Sequence, residues 1–396
     1  MNVPQLRFSG FDREWEEQEL NELLEFKNGI NADKDSYGYG TKFINVLDIL
    51  NNDYILSDKI IGSVNASEKQ LETYAVTYGD MLFLRSSETR EDVGICNVYL
   101  DQEKSAVFGG FVIRGKKIAD YSPFFLKAVL NNSSARNQIT SKAGGSTRYN
   151  VGQSILSEVT VRVPQIEEQQ KISSFFILLN KKIETQQEKI EKLEQFKKGM
   201  MQKIFSQELR FKDEDGGEFG EWENKRLGQV AEVIMGQSPK GENYSTDNQN
   251  TVLIQGNADM KNGKVIPRIY TSEITKTCLP GDIIMSVRAP VGEIALTDIE
   301  ACIGRGVCAI RGSMYIYHYL SYFNLIKAWN SLSQGSTFES VNGNDIKTLT
   351  IPAPSLKGQE KIADYLTKLE IKAEKEKEKL MVLEEQKKGF MQGMFV

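Results

Sequence analysis

Between residues 172 and 204, apolar side chains recur at alternating steps of four and three: Ile172, Phe176, Leu179, Ile183, Ile190, Leu193, Met200 and Ile204. The same steps return between 362 and 394 with Ile362, Leu366, Leu369, Ala373, Leu380, Leu383, Phe390 and Met394. A period of about 3.5 residues, sustained this long and flanked by Lys and Glu, predicts coiled-coil helices rather than surface helices of a globular core. At ~1.5 Å per residue, roughly 40 residues make a rod of ~60 Å. The seam is interrupted at the same two places in both stretches, by Gln186 and Glu376 and then by Lys197 and Lys387. An antiparallel pairing that sets Lys197 against Glu376 also sets Gln186 against Lys387. Those polar layers are then expected to fix orientation and register. The competing reading is that Lys197 and Lys387 reach out from the seam edge to solvent.

The rest of the chain carries shorter periods. MLFL (81–84), FGGFVIRG (108–115), DIIMSV (282–287) and VCAIRG (307–312) are apolar or β-branched runs bounded by glycine, and predict strands. SPFFLKAVLNN (122–132) and YIYHYLSYFNLIKAW (315–329) repeat at three- and four-residue steps and predict helices. VRVPQ (161–165) and TIPAPS (350–355) place prolines where a long helix would start. Each half therefore reads as a strand-rich α+β domain followed by a rod.

The halves are copies of one unit. Trp15, Leu20, Glu25 and Gly29 align with Trp222, Leu227, Glu232 and Gly236, an offset of 207. YGDMLFLR (78–85) resembles PGDIIMSVR (280–288), and GGSTRYNVGQSIL (144–156) resembles QGSTFESVNGNDI (334–346). By Ser146 and Ser336 the offset has become 190, and it stays there through KKGMMQKIF (197–205) and KKGFMQGMF (387–395). The 17 residues lost between the two offsets all fall inside the globular part. A fixed helical frame thus carries two divergent domains, with the sequence dividing into 1–160, 161–210, 211–350 and 351–396.

Composition narrows the chemistry. A hydrophobic content of 40% with 26% charged residues describes a folded chain, and no window offers the roughly 18 apolar residues of a membrane span. No signal peptide is visible, so a cytoplasmic protein is expected. The net charge of −5 is no argument against nucleic acid, because long helices can hold the carboxylates while a local surface stays basic. Cys96, Cys278, Cys302 and Cys308 form no CxxC pair and His318 is the single histidine, so no metal site is expected. Buried free thiols are expected over a Cys302–Cys308 disulfide. No Asn/Asp-Pro-Pro-aromatic box of amino-methyltransferases is present. The Walker-like spacing of Gly110, Gly115 and Lys116 continues with Lys117 in place of Ser or Thr, on a predicted strand. No catalytic residue is assigned; Trp15, Trp222 and His318 read as packing residues.

Two variable domains alternating with two similar heptad helices, each unit opened by E-W-E-x-x-x-L, continued by a Gly-Asp strand and closed by Gly-Ser-Thr and P-x-x-x-x-Q, resemble the specificity subunit of type I restriction-modification systems. The resemblance covers nearly the whole chain and implies two target recognition domains on an antiparallel, pseudo-two-fold helical frame. It implies that each domain reads one half of a bipartite, asymmetric site in double-stranded DNA. Two modification subunits, which hold S-adenosylmethionine, would dock on the frame. Two restriction subunits, using ATP and magnesium, would join them, and this chain itself would carry no cofactor. Related faces on successive major grooves would stand about 34 Å apart.

Base reading needs donor-bearing side chains on exposed loops. In the first domain the candidates are Lys34, Tyr37, Tyr39, Lys42, Arg85, Ser86, Arg90, Ser146, Thr147, Arg148 and Tyr149. In the second they are Ser238, Lys240, Tyr244, Asn257, Arg288, Arg305, Ser336, Thr337 and Phe338. The alternatives are a coiled-coil adaptor with two protein-binding domains and no DNA role, or an enzyme with an unfamiliar site.

Overall fold

Each globular domain begins and ends on the same two-stranded ribbon. In the first, Glu16–Glu19 runs antiparallel to Thr160–Val163, with Glu16 opposite Val163. In the second, Glu223–Arg226 pairs in the same way with Thr350–Ala353. This clasp explains the recurrent Glu-Trp-Glu segment and the turn before each rod. It holds the two ends of a domain together, so everything between them can change length without disturbing the helix that follows. The computed structural model describes residues 3–213, 215–217, 219–329 and 340–395.

The chain divides into two compact units, residues 1–185 with 380–396 and residues 186–379. In the first unit a four-stranded antiparallel sheet has the order Leu24–Asn28, Val112–Lys117, Met81–Leu84, Cys96–Val98. In the second, Glu232–Met235, Val307–Arg311, Ile283–Ser286 and Ile294–Leu296 repeat that order, and the sheet is extended by Lys264–Val265 and Met260–Lys261. A parallel step is also shared: Phe43 and Ile44 pair with Val107 and Phe108, as Leu253 and Ile254 pair with Cys302 and Ile303.

The Gly-Asp motif is structural in both copies. Gly79 and Gly281 take positive φ angles of 93° and 92°. Asp80 and Asp282 then accept the backbone N–H three residues earlier, from Thr77 at 3.0 Å and Leu279 at 2.8 Å. Glycine is required elsewhere for a different reason. A Cβ on Gly29 would stand 2.1 Å from the carbonyl oxygen of Gly109, and one on Gly236 would stand 2.1 Å from that of Gly304. These paired close approaches bring the strand edge and the parallel step together.

The predicted rods are continuous helices, Ile166–Phe205 and Leu356–Met394. Every one of the apolar and polar seam positions is buried or half-buried. In the first unit Phe175 meets Phe390 edge-on at 5.1 Å, and Phe176 and Phe125 both pack on Phe395. In the second unit Met201, Ile204, Phe205, Ile362, Ala363 and Leu366 enter the domain core with Tyr315, Ile316, Tyr319 and Leu320. Each fully buried side chain of this size contributes roughly 1.5–3 kcal/mol, so the helices are integral to the domain cores. Trp15 is buried against Phe125, Trp222 lies half-buried near Tyr315, and His318 is wholly buried with Nε2 2.8 Å from Thr367 Oγ1. The four thiols are free and buried, with no Cys302–Cys308 bridge.

Within the second unit the helices run antiparallel, since Gln186 meets Glu376 while Lys197, further along, meets Glu370 at 3.2 Å. The expected register is corrected. Lys197 does not oppose Glu376, and Gln186 is engaged by Glu376 rather than by Lys387. Glu376 is buried, accepting from Gln186 at 2.8 Å and pairing with Lys189 and Lys379, each at 3.0 Å. Lys197 has its own carboxylate and half-buried position, so it does not simply reach out to solvent. The physical reason is that a heptad seam superimposes on itself after a slide of seven residues. Only the polar exceptions distinguish the registers.

Candidate nucleic-acid interface

In the second domain, five predicted residues gather around one recess of about 230 Å³. Ser238, Tyr244, Asn257, Arg288 and Arg305 line it with Gln255, Gly256, Ala289 and Gly306. The segments come from distant parts of the chain and meet because glycine lets them. A Cβ on Gly306 would stand 2.0 Å from the Gln255 carbonyl oxygen. The Ser238 hydroxyl accepts the Arg305 backbone N–H at 3.1 Å. Asp259, buried and paired with Arg268 at 3.0 Å, accepts the N–H groups of Gln255 and Gly256 and stiffens the floor.

The recess is rich in donors. The Arg288 and Arg305 guanidinium groups have no hydrogen bond or ion pair among the described residues, and both residues are exposed. The Gln255 amide nitrogen is buried without a partner there. No carboxylate is among the lining residues. Lys240 stands apart: its backbone N–H donates to Glu273 at 2.9 Å and its ammonium lies 4.0 Å from Glu242. That N–H, with the amide of Asn243, holds the Glu273 carboxyl below the usual range. Ser336, Thr337 and Phe338 lie outside the described residues.

The first domain forms two groups. Ser86 and Ser87 pair with Asn150 and Tyr149, and Gly144 bridges to Asn150, so the Gly-Ser-Thr segment closes a tight loop that presents Ser146, Thr147 and Arg148 to solvent. Gly145 at φ 119° has the Arg148 carbonyl where a Cβ would sit. Arg90 stacks over the Tyr149 ring at 5.0 Å, and Arg148 lies 3.8 Å from Glu88 in an exposed pair. Arg85 is half-buried and donates from Nη1 to the Gly110 carbonyl at 3.1 Å. The repeat equivalent of Arg85 is Val287, which makes the matching main-chain bonds, and Arg288 stands at the place of Ser86.

The second group, on the segment 31–44, is mixed. Lys34, Tyr37 and Tyr39 are exposed, with Tyr37 edge-on to Phe43 and the Tyr39 hydroxyl accepting from Asn65 at 3.3 Å. Lys42 is half-buried and donates to the Ile60 carbonyl at 2.5 Å. Sequence reasoning missed Gln255, whose place in the recess depends on the approach of Gly306. Among the described residues no group of His, Cys, Asp or Glu could hold a metal ion, and no helix is long and apolar enough to cross a membrane.

Two clasped α+β domains, each feeding one long helix of an antiparallel pair and each exposing its own set of donors, define a duplicated recognition protein on a helical frame. The family described as the type I restriction modification DNA specificity domain matches it twice, over residues 12–195 and 220–385. The chain belongs to this family, and as a specificity subunit it has a DNA sequence-specificity role and is not itself an enzyme. It is 28% identical over 411 residues to a Methanocaldococcus jannaschii protein assigned provisionally as the type I restriction enzyme MjaX specificity subunit, covering 98% of this chain and 95% of that one. It is 26% identical over 153 residues to the type I restriction enzyme EcoKI specificity subunit of Escherichia coli, covering 38% and 32% of the two chains. The fold is shared with the type I restriction-modification S subunit from M. genitalium, at a TM-score of 0.60 and 16% identity over 100% of this chain and 99% of that one. A chain from a type I restriction-modification complex also matches, at a TM-score of 0.62 and 21% identity over 96% and 97%. The DNA-specificity family, matched over both domains, decides against a protein-only adaptor.

Proposed function

We propose that the two domains read the two unlike halves of a bipartite site in double-stranded DNA, and that the paired helices set the unread gap between them. The observation that carries this reading is the shared frame with unshared donors. Clasp, sheet order and glycine contacts repeat, while the donors do not: Val287 stands at the place of Arg85, and Arg288 at that of Ser86. Identical frames would dock alike, and different donors would select different bases.

The exposed Lys and Glu faces of the helices are the surface for two modification subunits, which bring S-adenosylmethionine. Two restriction subunits, with ATP and magnesium, complete the assembly in the cytoplasm. This chain would hold no cofactor of its own. The test is to map methylated adenines across a genome with the chain and a modification subunit expressed together and separately. A bipartite, asymmetric motif is expected only with both. Lengthening one helix by a turn should then alter the gap and leave both half-sites intact; changed half-site bases would overturn the ruler.

A further inference from the structure

We propose that Arg288 and Arg305 read guanine in the half-site of the second domain. The inference rests on the proposed DNA reading and specifies its chemistry. Two guanidinium groups without partners among the described residues line one recess. Beside them lies the buried, unpartnered amide nitrogen of Gln255, and no carboxylate lines the recess. Such a surface takes acceptors. In the major groove guanine offers two adjacent acceptors, O6 and N7, which match the planar fork of arginine. Adenine offers one acceptor beside a donor, and cytosine offers a donor.

The mouth of the recess is also preorganised. Arg305 is fixed at its backbone by Ser238, and Arg288 by a bridge to Ser340. The Gln255–Gly306 contact leaves no room for a Cβ. Forks on a fixed backbone lose little freedom when they bind, which favours base recognition over a loose phosphate contact. The first domain supports the assignment by contrast. Ser86 occupies the place of Arg288 there, paired with Asn150 as Arg288 is with Ser340. The same frame position thus presents a guanidinium fork in one domain and a hydroxyl in the other.

The experiment selects duplexes from a randomised library with the full chain, wild type and with Arg288→Lys or Arg305→Lys, co-expressed with a modification subunit. Lysine keeps the charge and loses the fork. The expected result is a wild-type motif with G·C pairs in one half, where each variant loses preference at a G·C position by about 5- to 150-fold. The other half, identified by its response to Arg148→Ala, should not change. A motif without G·C in the second half overturns the inference and leaves the DNA reading standing. So does full retention of the preference by the lysine variants, which marks phosphate contacts. No enriched motif from the wild-type chain sinks both.

Discussion

Gln186 Nε2 donates to both the main-chain carbonyl and the side-chain carboxylate of Glu376, each at 2.8 Å. These two residues hold the same position in the two repeats, 190 apart, so the helices touch where equivalent residues face each other. The flanking cations obey the same relation: Lys189 and Lys379, also 190 apart, both pair with Glu376. Together the amide and two ammonium groups hold the Glu376 carboxyl down to about 2.

Because the layer is built from equivalents, exchanging its members should preserve it. Gln186→Glu alone places two carboxylates face to face and is expected to lower Tm by a few degrees. Adding Glu376→Gln restores the original pair in mirror arrangement, with Lys379 and Lys189 still flanking, and should recover most of the loss. Thermal unfolding of the double-mutant cycle measures the coupling. Simple additivity of the two substitutions would show that the layer does not act as a unit.

The glycine contacts make a second prediction, local to each domain. Gly29→Ala and Gly236→Ala each drive a Cβ into a backbone carbonyl, which cannot rotate away as a side chain can. Each should cost about 1–3 kcal/mol or more, as overpacking does. Hydrogen exchange should rise in the substituted domain and not in the other. Gly241→Ala is the control, since nothing lies within 4 Å of its Cβ position. Equal effects of Gly236→Ala and Gly241→Ala would refute the argument.

The frame was legible in the sequence because its signals are periodic. Ile172 to Ile204 and Ile362 to Met394 could only be rods, and the changing offset located the variable parts. Register was not legible by pairing opposite charges, since a lysine reaches several positions and Lys197 selects Glu370. The usable signal was the repeat itself, which brings Gln186 to its own equivalent. The recess was half legible: its arginines stood out as donors on loops. The similar ends of YGDMLFLR and PGDIIMSVR hide that Val287, not Arg288, stands at the place of Arg85, which only the strand register shows.

The buried histidine gives a pH dependence. Burial pushes His318 down to about 4 from its ordinary 6.5, against the attraction of Glu370 and with the repulsion of Lys197. Below 6.5 the unfolded chain takes up a proton that the folded chain refuses until about 4. Stability is therefore complete above that upper value and falls as pH drops toward the lower, by roughly 3 kcal/mol at most. His318→Gln can keep a bond to Thr367 without titrating, so its Tm should fall less steeply between pH 6.5 and 4.5. Parallel curves for the two proteins would exclude His318 as the source.

The exposed arginines of the first domain give the last prediction. Arg148 and Glu88 lie 3.8 Å apart with side chains 60% and 84% exposed, so the pair contributes little to the fold. A phosphate or a base edge can take Arg148 from Glu88 at small cost. Removing the competing carboxylate with Glu88→Gln should then tighten DNA binding at low salt, with the gain shrinking as salt rises. Arg148→Ala should do the opposite, and the pattern of loss separates its roles. Loss confined to one base pair of the first half-site marks a base contact. Uniform loss across sequences, with the salt slope reduced by about one, marks a phosphate contact. Titrations at several salt concentrations, on the cognate site and on single-base variants, read both quantities. If Glu88→Gln and Arg148→Ala both leave affinity and slope unchanged, the loop from 144 to 150 does not touch DNA.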